Sequence, residues 1–124
     1  MNINTEKNFT LYNYRANVVG VYDGDSVTLD IDLGLGIWSK GQKCRLMGID
    51  TPELRGDERV EGLKSKQRLC ELILGKQVAV ETARDKTGKY GRWLVTIWDL
   101  SDDGEWTNIN KLLLSEGYAK IYGQ

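Results

Sequence analysis

Apolar residues alternate with polar ones along the first third of the chain, which is the period of a half-buried strand. This pattern predicts strands at Leu11 to Tyr22, Ser26 to Asp32 and Gln42 to Ile49. Gly24 separates the first strand from the second, and residues 33–36 are expected to form a flexible connection to the third. Three consecutive strands joined by short segments indicate a meander.

The period then changes to that of a helix over Val60 to Leu74. Gly75 follows it and can adopt the left-handed conformation that ends helices. Charged side chains, including Lys64 and Glu71, fall on the side expected to face water. The pattern predicts a buried face made of Val60, Leu63, Gln67, Cys70, Ile73 and Leu74.

Alternation resumes after the helix and predicts strands at Val78 to Thr82 and Trp93 to Leu100. Asn108 can cap a short second helix that stops at Gly117, because its side chain can accept a hydrogen bond from a free backbone N–H. The tail from Tyr118 to Tyr122 has some strand character.

Three strands, a helix and two more strands is the order of an OB-fold. The sequence therefore predicts a mainly β fold with α: a five-stranded Greek-key barrel, a main helix after strand 3 and a short second helix. A β-sandwich is disfavoured, because it would have a loop where the long helix lies. Without a repeat or linker, we expect one domain over residues 1–124, with residues 1–10 as a flexible N-terminal arm.

Composition narrows the chemistry more than it identifies a partner. The 124-residue chain has a formal net charge of −1, so binding to a polyanion would need a local basic patch. The richest basic stretches are Arg55 to Arg68 and Arg84 to Arg92. The chain contains no histidine, which excludes Ser-His-Asp and Cys-His hydrolases and most zinc hydrolases.

The cysteines and the N-terminus carry weaker signals. Cys44 and Cys70 are expected to be buried free thiols, although the sequence leaves a disulfide open. Residues 1–13 contain no apolar run, which predicts neither a signal peptide nor a membrane span. We therefore expect a cytoplasmic protein, or a secreted one if a leader has been removed.

Three short segments concentrate reactive side chains at strand ends and turns, where side chains commonly meet ligands. They are Asp23-Gly24-Asp25-Ser26, the stretch from Arg45 to Glu53, and Lys89-Tyr90-Gly91-Arg92. Taken singly, each has an ordinary structural explanation: a turn, a strand exit stiffened by proline, and a solvated hairpin arginine.

Taken together, the carboxylates need a cation. Asp25 and Asp50 end neighbouring predicted strands and Glu53 follows one turn later. Two carboxylates ~4 Å apart repel by about 4 kcal/mol at an effective dielectric constant near 20. An all-oxygen ligand set favours Ca²⁺ or Mg²⁺. Arg45 and Arg92 can instead neutralise the acids in a structural ion-pair cluster. The spacing of the residues favours neither the metal site nor the ion-pair cluster.

The three segments, in this order, resemble those of the staphylococcal nuclease (thermonuclease) family. The similarity runs from about Val18 to Tyr122, with Ser26 in place of the family's usual threonine and a shorter loop over residues 54–61. The resemblance implies an OB-fold nuclease that uses calcium to hydrolyse phosphodiester bonds of DNA and RNA, leaving 3′-phosphate ends.

The resemblance also implies a role for each matching residue. Asp25, Asp50 and the carbonyl of Thr51 would hold Ca²⁺, Glu53 would be the catalytic carboxylate, and Arg45 and Arg92 would hold the reacting phosphate. Lys89 and Tyr90 would contact the nucleotide. For the family's tail tyrosine, Tyr122 is a candidate offset by about one position, and Gly123 is the alternative.

The expected partners are single-stranded DNA and RNA, with no membrane and no obligate protein partner, and the protein is expected to be a monomer. An OB-fold module that binds nucleic acid without cleaving it is the alternative. Loss of Arg45, Glu53 or Arg92 would mark such a module, and all three are present.

Overall fold

The computed structural model describes residues 11–85 and 92–123. Its first half is a three-stranded antiparallel meander followed by a short extended segment and the main helix. The elements are β1 (Asn13–Asp23), β2 (Ser26–Gly34), β3 (Ile37–Leu46), β4 (Ile49–Asp50), a 3₁₀ turn (Gly56–Glu58) and α1 (Arg59–Ile73).

The second half returns to the sheet and ends in a short helix and tail. Its elements are β5 (Gln77–Arg84), β6 (Trp93–Leu100), β7 (Trp106–Asn108), α2 (Ile109–Ser115) and β8 (Lys120–Ile121). The arm expected over residues 1–10 lies outside the described residues.

Five strands close into a barrel. The sheet order is β3-β2-β1-β5-β6, and a parallel pairing between β3 and β6 joins its two edges. Cys44, Arg45 and Leu46 pair with Trp93, Leu94 and Val95 along this seam. Closure leaves these five strands without an open edge. The OB-fold predicted from the element order is confirmed.

The third strand differs in extent from its prediction. It begins at Ile37 instead of Gln42, so β2 and β3 form a longer hairpin around Leu35 and Gly36. It ends at Leu46 because Gly48, with φ of +81°, turns the chain. Ile49 and Asp50 then form a separate strand, β4, which pairs with β8 near the end of the chain.

The main helix has the predicted length but buries a different face. Gly62, Ser65, Leu69 and Ile73 are buried, whereas Val60 is 63% exposed and Leu63 is 42% exposed. The predicted face, from Val60 to Leu74, was therefore wrong apart from Ile73 and a half-buried Cys70. Apolar periodicity misplaced the face because two of its buried positions carry small residues that permit close backbone approach.

A single apolar core fills the barrel and the layer beneath the helices. Each fully buried side chain comes from the inward face of a barrel strand, from β4 or from a helix. The core residues are Ala16, Val18, Val27, Leu29, Ile31, Cys44, Leu46, Ile49, Leu69, Ile73, Val78, Val80, Val95, Ile97, Ile109 and Leu113. Cys44 and Cys70 are both free thiols, and burial raises the pKa of Cys44 to about 11.

Buried polar contacts fasten α2 to the barrel. Asn108 caps the helix by accepting a hydrogen bond from the Lys111 N–H at 3.1 Å, as predicted. The buried Asn110 side chain accepts from the Ile97 N–H and donates to the carbonyls of Val95 and Met47. Within the described part of the chain, no helix is both long and apolar enough to cross a membrane.

Candidate active site

The β1–β2 turn places Asp25 in a buried position next to the segment that follows β4. The Asp25 N–H donates to the Asp23 carboxylate at 3.1 Å, which shapes the turn. Asp25 is 5% exposed, and its carboxylate accepts a hydrogen bond from the Thr51 N–H at 3.1 Å. Asp25 and Thr51 are therefore in direct contact although they lie in separate sequence motifs.

Gly24 permits this close approach. A Cβ atom at this position would lie 2.8 Å from the Ser65 Cβ and 2.9 Å from the Thr51 Cγ2. Carbon atoms do not approach so closely without displacement. The turn carrying Asp25 is thus packed against both α1 and the Thr51 segment, and glycine is the residue that fits.

Arg45 joins the two acidic residues predicted to share a cation. Its Nη1 lies 3.1 Å from the Asp25 Oδ2 and its Nη2 lies 3.5 Å from the Asp50 Oδ1. The same Nη2 donates to the Ile49 carbonyl at 3.0 Å. The planar fork of arginine contacts these groups through two separate nitrogens in a fixed geometry, whereas an ammonium group offers its donors from one nitrogen.

Tyr122 completes the surroundings of Arg45. The Arg45 guanidinium lies over the Tyr122 ring, 5.0 Å from its centroid, within the range of a cation–π contact. The Tyr122 N–H donates to the Gly48 carbonyl at 3.0 Å, which fixes the tail beside the β3–β4 turn. Tyr122 therefore lies at the predicted site, whichever group it contacts in a complex.

Glu53 lies on the surface, two residues beyond Thr51. Its side chain is exposed, and across residues 11–85 and 92–123 no hydrogen bond or ion pair engages its carboxylate. Its backbone is tightly constrained, because a Cβ on Gly62 would collide with the Glu53 carbonyl oxygen. Helix α1 thus fixes the position of Glu53 and leaves the side chain free to meet solvent or a ligand.

Arg92 lies in a cleft of about 470 Å³ whose lining includes Asp23, Ser26 and Lys43. The parallel pairing of Cys44 with Trp93 places Arg92 beside Lys43 at the edge of the barrel. Arg45 is two residues further along β3 and therefore projects from the same side of the strand as Lys43. We call the cleft lined by Asp23, Ser26, Lys43 and Arg92 the Arg92 cleft. It brings basic side chains next to the turn that carries Asp25.

Asp23 and Lys43 were not selected from the sequence as site residues. Burial, a hydrogen bond to Asp25 and the Asp25 charge raise the pKa of Asp23 to about 6. The two-residue spacing of Lys43 and Arg45 on β3 was one available signal, since residues two apart share a face of a strand. For Asp23, the signal was its place at the end of β1, directly before the turn that carries Asp25. Lys89 and Tyr90, predicted to contact the nucleotide, lie outside the described residues.

The residues predicted to hold calcium lie around the Arg45 guanidinium. Among the described residues, no group of three or more histidine, cysteine, aspartate or glutamate side chains is arranged to hold a metal ion. Asp25 and Asp50 instead flank the Arg45 guanidinium, and Thr51 adjoins Asp25. The carboxylates of Asp25 and Asp50 and the backbone oxygen of Thr51 are all hard ligands that suit calcium.

The barrel topology and the arginine–carboxylate cluster define an OB-fold protein whose site is suited to binding phosphate groups. Comparison with known protein families agrees: residues 43–124 match the model of the staphylococcal nuclease homologue family. The chain belongs to this family, which indicates a nuclease-like or nucleic-acid-binding OB-fold domain. No curated protein matches the chain in a sequence search.

The matched region covers most of the proposed site. It begins within β3 and includes Arg45, Asp50, Thr51, Glu53 and Arg92. Asp25 lies before the matched region, and its hydrogen bond from Thr51 and ion pair with Arg45 connect it to the matched residues.

Proposed function

We propose that the protein is a calcium-dependent nuclease that hydrolyses phosphodiester bonds of single-stranded DNA and RNA to 3′-phosphate products. The observation that carries this proposal is the Arg45 cluster. One guanidinium contacts both Asp25 and Asp50 within a chain that belongs to the staphylococcal nuclease family. An arginine and two carboxylates at one point are the groups needed to hold a cation and a phosphate together.

Asp25, Asp50 and Thr51 are the residues that would hold calcium. Calcium usually takes six to eight oxygen ligands, so water and substrate oxygens would complete the set. A bound calcium ion would draw charge from a phosphate oxygen and orient the substrate. The burial of Asp25 and its contact with Thr51 fix two of the three proposed ligands relative to each other.

Arg45 and Arg92 would hold the reacting phosphate. Arginine forks bind phosphate oxygens through paired hydrogen bonds, and these strengthen as negative charge accumulates at a pentacoordinate phosphorus. Lys43 lies beside Arg92 and adds positive charge without fixed geometry. Lys43, Arg45 and Arg92 form a basic cluster whose charge is offset by Asp23, Asp25 and Asp50, so attraction of a polyanion would also depend on the bound cation.

Glu53 would act as the general base. A carboxylate can accept a proton from an attacking water molecule. The water oxygen would bond to phosphorus as the bond to the 5′ oxygen breaks, and that oxygen would take a proton from solvent. This cleavage leaves the phosphate on the 3′ side. The fixed backbone of Glu53 against Gly62 would hold the base in place.

Low sequence specificity follows from the kind of contacts the site offers. Phosphate contacts position a nucleic acid without reading its sequence, and stacking on aromatic rings tolerates every base. An OB-fold module that binds nucleic acid without cleaving it is the alternative. It would use the same basic cluster but have no requirement for Glu53.

A degradation assay distinguishes these functions. Single-stranded DNA and RNA are incubated with the protein in Ca²⁺ or in excess chelator. Fragments that a template-directed polymerase extends only after phosphatase treatment carry 3′-phosphate ends. We expect cleavage in Ca²⁺ only. Glu53→Gln should lower the rate by roughly 10²-fold or more, the usual range for loss of a general base.

The matched control is Glu58→Gln, which changes an exposed glutamate in the neighbouring 3₁₀ turn. This variant should retain the wild-type rate. Equal cleavage with and without chelator, or an unchanged rate in Glu53→Gln, would contradict the proposed mechanism. Binding without cleavage, measured by fluorescence anisotropy, would favour the non-catalytic module.

A further inference from the structure

A second cavity opens at the end of the barrel, apart from the Arg92 cleft. It has a volume of about 790 Å³, and its described lining includes Tyr12, Tyr14, Ser39, Gln42, Arg84 and Trp93. We call this cavity the barrel cup. Its volume lies within the range of roughly 300–1,000 Å³ typical of ligand pockets.

The cup is a continuation of the barrel interior. Ser39 pairs with the buried Ile31, and Gln42 pairs with the buried Leu29, so both side chains face inward. Tyr14 likewise pairs with the buried Val80. The core residue Ile31 forms part of the floor of the cup, and polar, aromatic and aliphatic residues, Leu33 among them, line the space above it.

The lining of the cup suits a flat aromatic group attached to an anion. Trp93 is 41% exposed and Tyr12 is 63% exposed at its wall, a large aromatic surface facing an open cavity. The Gln42 amide donates to the Ser39 hydroxyl at 2.8 Å, presenting hydrogen-bonding groups to the interior. Arg84 pairs with Trp93 across β5 and β6, and no carboxylate is found in the described lining.

The cup adjoins the proposed phosphate site along the same two strands. Trp93 directly follows Arg92, and it pairs with Cys44, the residue before Arg45. Gln42 precedes Lys43 of the Arg92 cleft on β3. Because successive strand residues alternate between faces, Trp93 and Gln42 face the barrel interior, whereas Arg92, Lys43 and Arg45 face outward. A nucleic acid strand held at Arg45 and Arg92 would therefore reach the cup by crossing the barrel wall where β3 pairs with β6.

We propose that the barrel cup binds a base of the same single-stranded DNA or RNA, beyond the nucleotides that flank the cleaved bond. The base stacks on Trp93 and Tyr12, and Arg84 meets the attached phosphate. This inference rests on the proposed function, because it takes the phosphate site as its starting point. It predicts that substrates long enough to reach the cup bind more tightly than dinucleotides.

The test compares two probes in the Glu53→Gln background with Ca²⁺, so that the probes are not consumed. Fluorescein-labelled oligothymidylates of two and eight nucleotides are titrated by fluorescence anisotropy. Trp93→Ala should weaken binding of the longer probe on the order of tenfold, since stacking on an aromatic side chain contributes this much per base. Binding of the shorter probe should not change, and Trp93→Phe should restore most of the lost affinity.

Two further variants separate the cup from general effects. Thr82→Phe adds bulk to the lining of the cup and should weaken only the longer probe. Trp106→Ala removes an exposed tryptophan that lies outside the cup and should change neither affinity. Thermal melts identify any variant that does not fold. If Thr82→Phe does not fold, the binding of the two probes is compared in Trp93→Ala and Trp93→Phe alone.

Unchanged binding of the longer probe in Trp93→Ala would overturn the cup as a base subsite and leave the nuclease proposal intact. An equal loss for both probes would also overturn it, because the tryptophan would then act at the phosphate site. If the wild-type protein neither cleaves nor binds either probe, the proposed function fails and this inference fails with it.

Discussion

Arg45 is the residue on which the geometry of the site depends. It contacts Asp25, Asp50, the Ile49 carbonyl and the Tyr122 ring. These groups come from the β1–β2 turn, from β4 and from the tail that follows β8. A single guanidinium therefore links three separate parts of the chain, using both its planar donors and its face.

Arg45→Lys tests whether this fork is needed. Lysine keeps the charge but loses the rigid fork whose two nitrogens reach Asp25 and Asp50 separately. We expect nuclease activity to fall on the order of 10²-fold, as for the loss of one transition-state hydrogen-bond donor. Initial rates on single-stranded DNA measure the change. Arg15→Lys, an exposed position on β1, is the control and should be neutral; wild-type rates in Arg45→Lys would show that the arginine is only structural.

Gly24→Ala tests the packing of the Asp25 turn. The new methyl group would lie 2.8 Å from the Ser65 Cβ, so the turn or α1 must shift. Overpacking of this kind costs roughly 1–3 kcal/mol. Urea unfolding measures the free-energy change. Gly20→Ala is the control, because its nearest contact is an ordinary 3.7 Å; equal stability of the two variants would contradict the packing argument.

At the residue scale, the sequence predicted that Asp25, Asp50 and Arg45 lie close together, and the two ion pairs of Arg45 show that they do. Asp25, Arg45 and Asp50 follow from their places at strand ends and turns. The Arg45–Tyr122 contact does not, because it depends on where the tail returns to the barrel. The position of Lys43 beside Arg92 also required the parallel β3–β6 register, which no local pattern specifies.

Among the elements, α1 acts mainly as a support for the site. Its small residues Gly62 and Ser65 are buried, so its backbone approaches both the Asp25 turn and the Pro52–Glu53 segment. The Ser65 hydroxyl also donates to the Tyr118 carbonyl at 2.6 Å, which connects the helix to the tail. The helix thus contacts the segments on either side of Arg45 without contributing a proposed catalytic group.

Gly62→Ala sets two effects against each other. Alanine favours a helix by about 1 kcal/mol relative to glycine. Its methyl group would collide with the Glu53 carbonyl oxygen and lie 2.8 Å from the Pro52 carbonyl oxygen, and neither backbone atom can swing aside. We expect the collision to prevail, with a net loss of roughly 1–2 kcal/mol and reduced activity.

Denaturant unfolding and initial cleavage rates measure this outcome. Glu61→Ala is the matched control, since it changes the preceding, exposed helix residue and should alter stability by less than about 0.5 kcal/mol. A stabilised and fully active Gly62→Ala protein would show that helix propensity outweighs the close approach.

Element positions were largely predictable because each strand and helix carries its own period and its own end signals. Gly75 and Asn108 act at the helix ends as expected. The face of α1 was not predictable, because hydrophobic patterning assigns burial to large apolar residues. A helix that packs through glycine and serine leaves Val60 and Leu63 in solvent and reverses that assignment.

For the molecule as a whole, the proposed calcium site predicts a ligand-dependent stability. A ligand that binds only the folded state at 100 times its Kd adds about 2.7 kcal/mol. We therefore expect millimolar Ca²⁺ to raise the Tm by several degrees, measured by differential scanning fluorimetry. Asp50→Asn should remove the increase, whereas Asp102→Asn in an exposed loop should retain it. A wild-type Tm that does not respond to Ca²⁺ would argue against the site.

The pairing of β4 with β8 makes the site depend on residues about 70 positions further along the chain. Ile49 and Asp50 pair with Ile121 and Lys120, and Tyr122 lies on Arg45. A nascent chain that has not yet released this tail from the ribosome holds neither Asp50 nor Arg45 in its final surroundings. Whatever reaction the finished protein performs, translation itself would delay the assembly of the site until Lys120, Ile121 and Tyr122 have emerged from the ribosome.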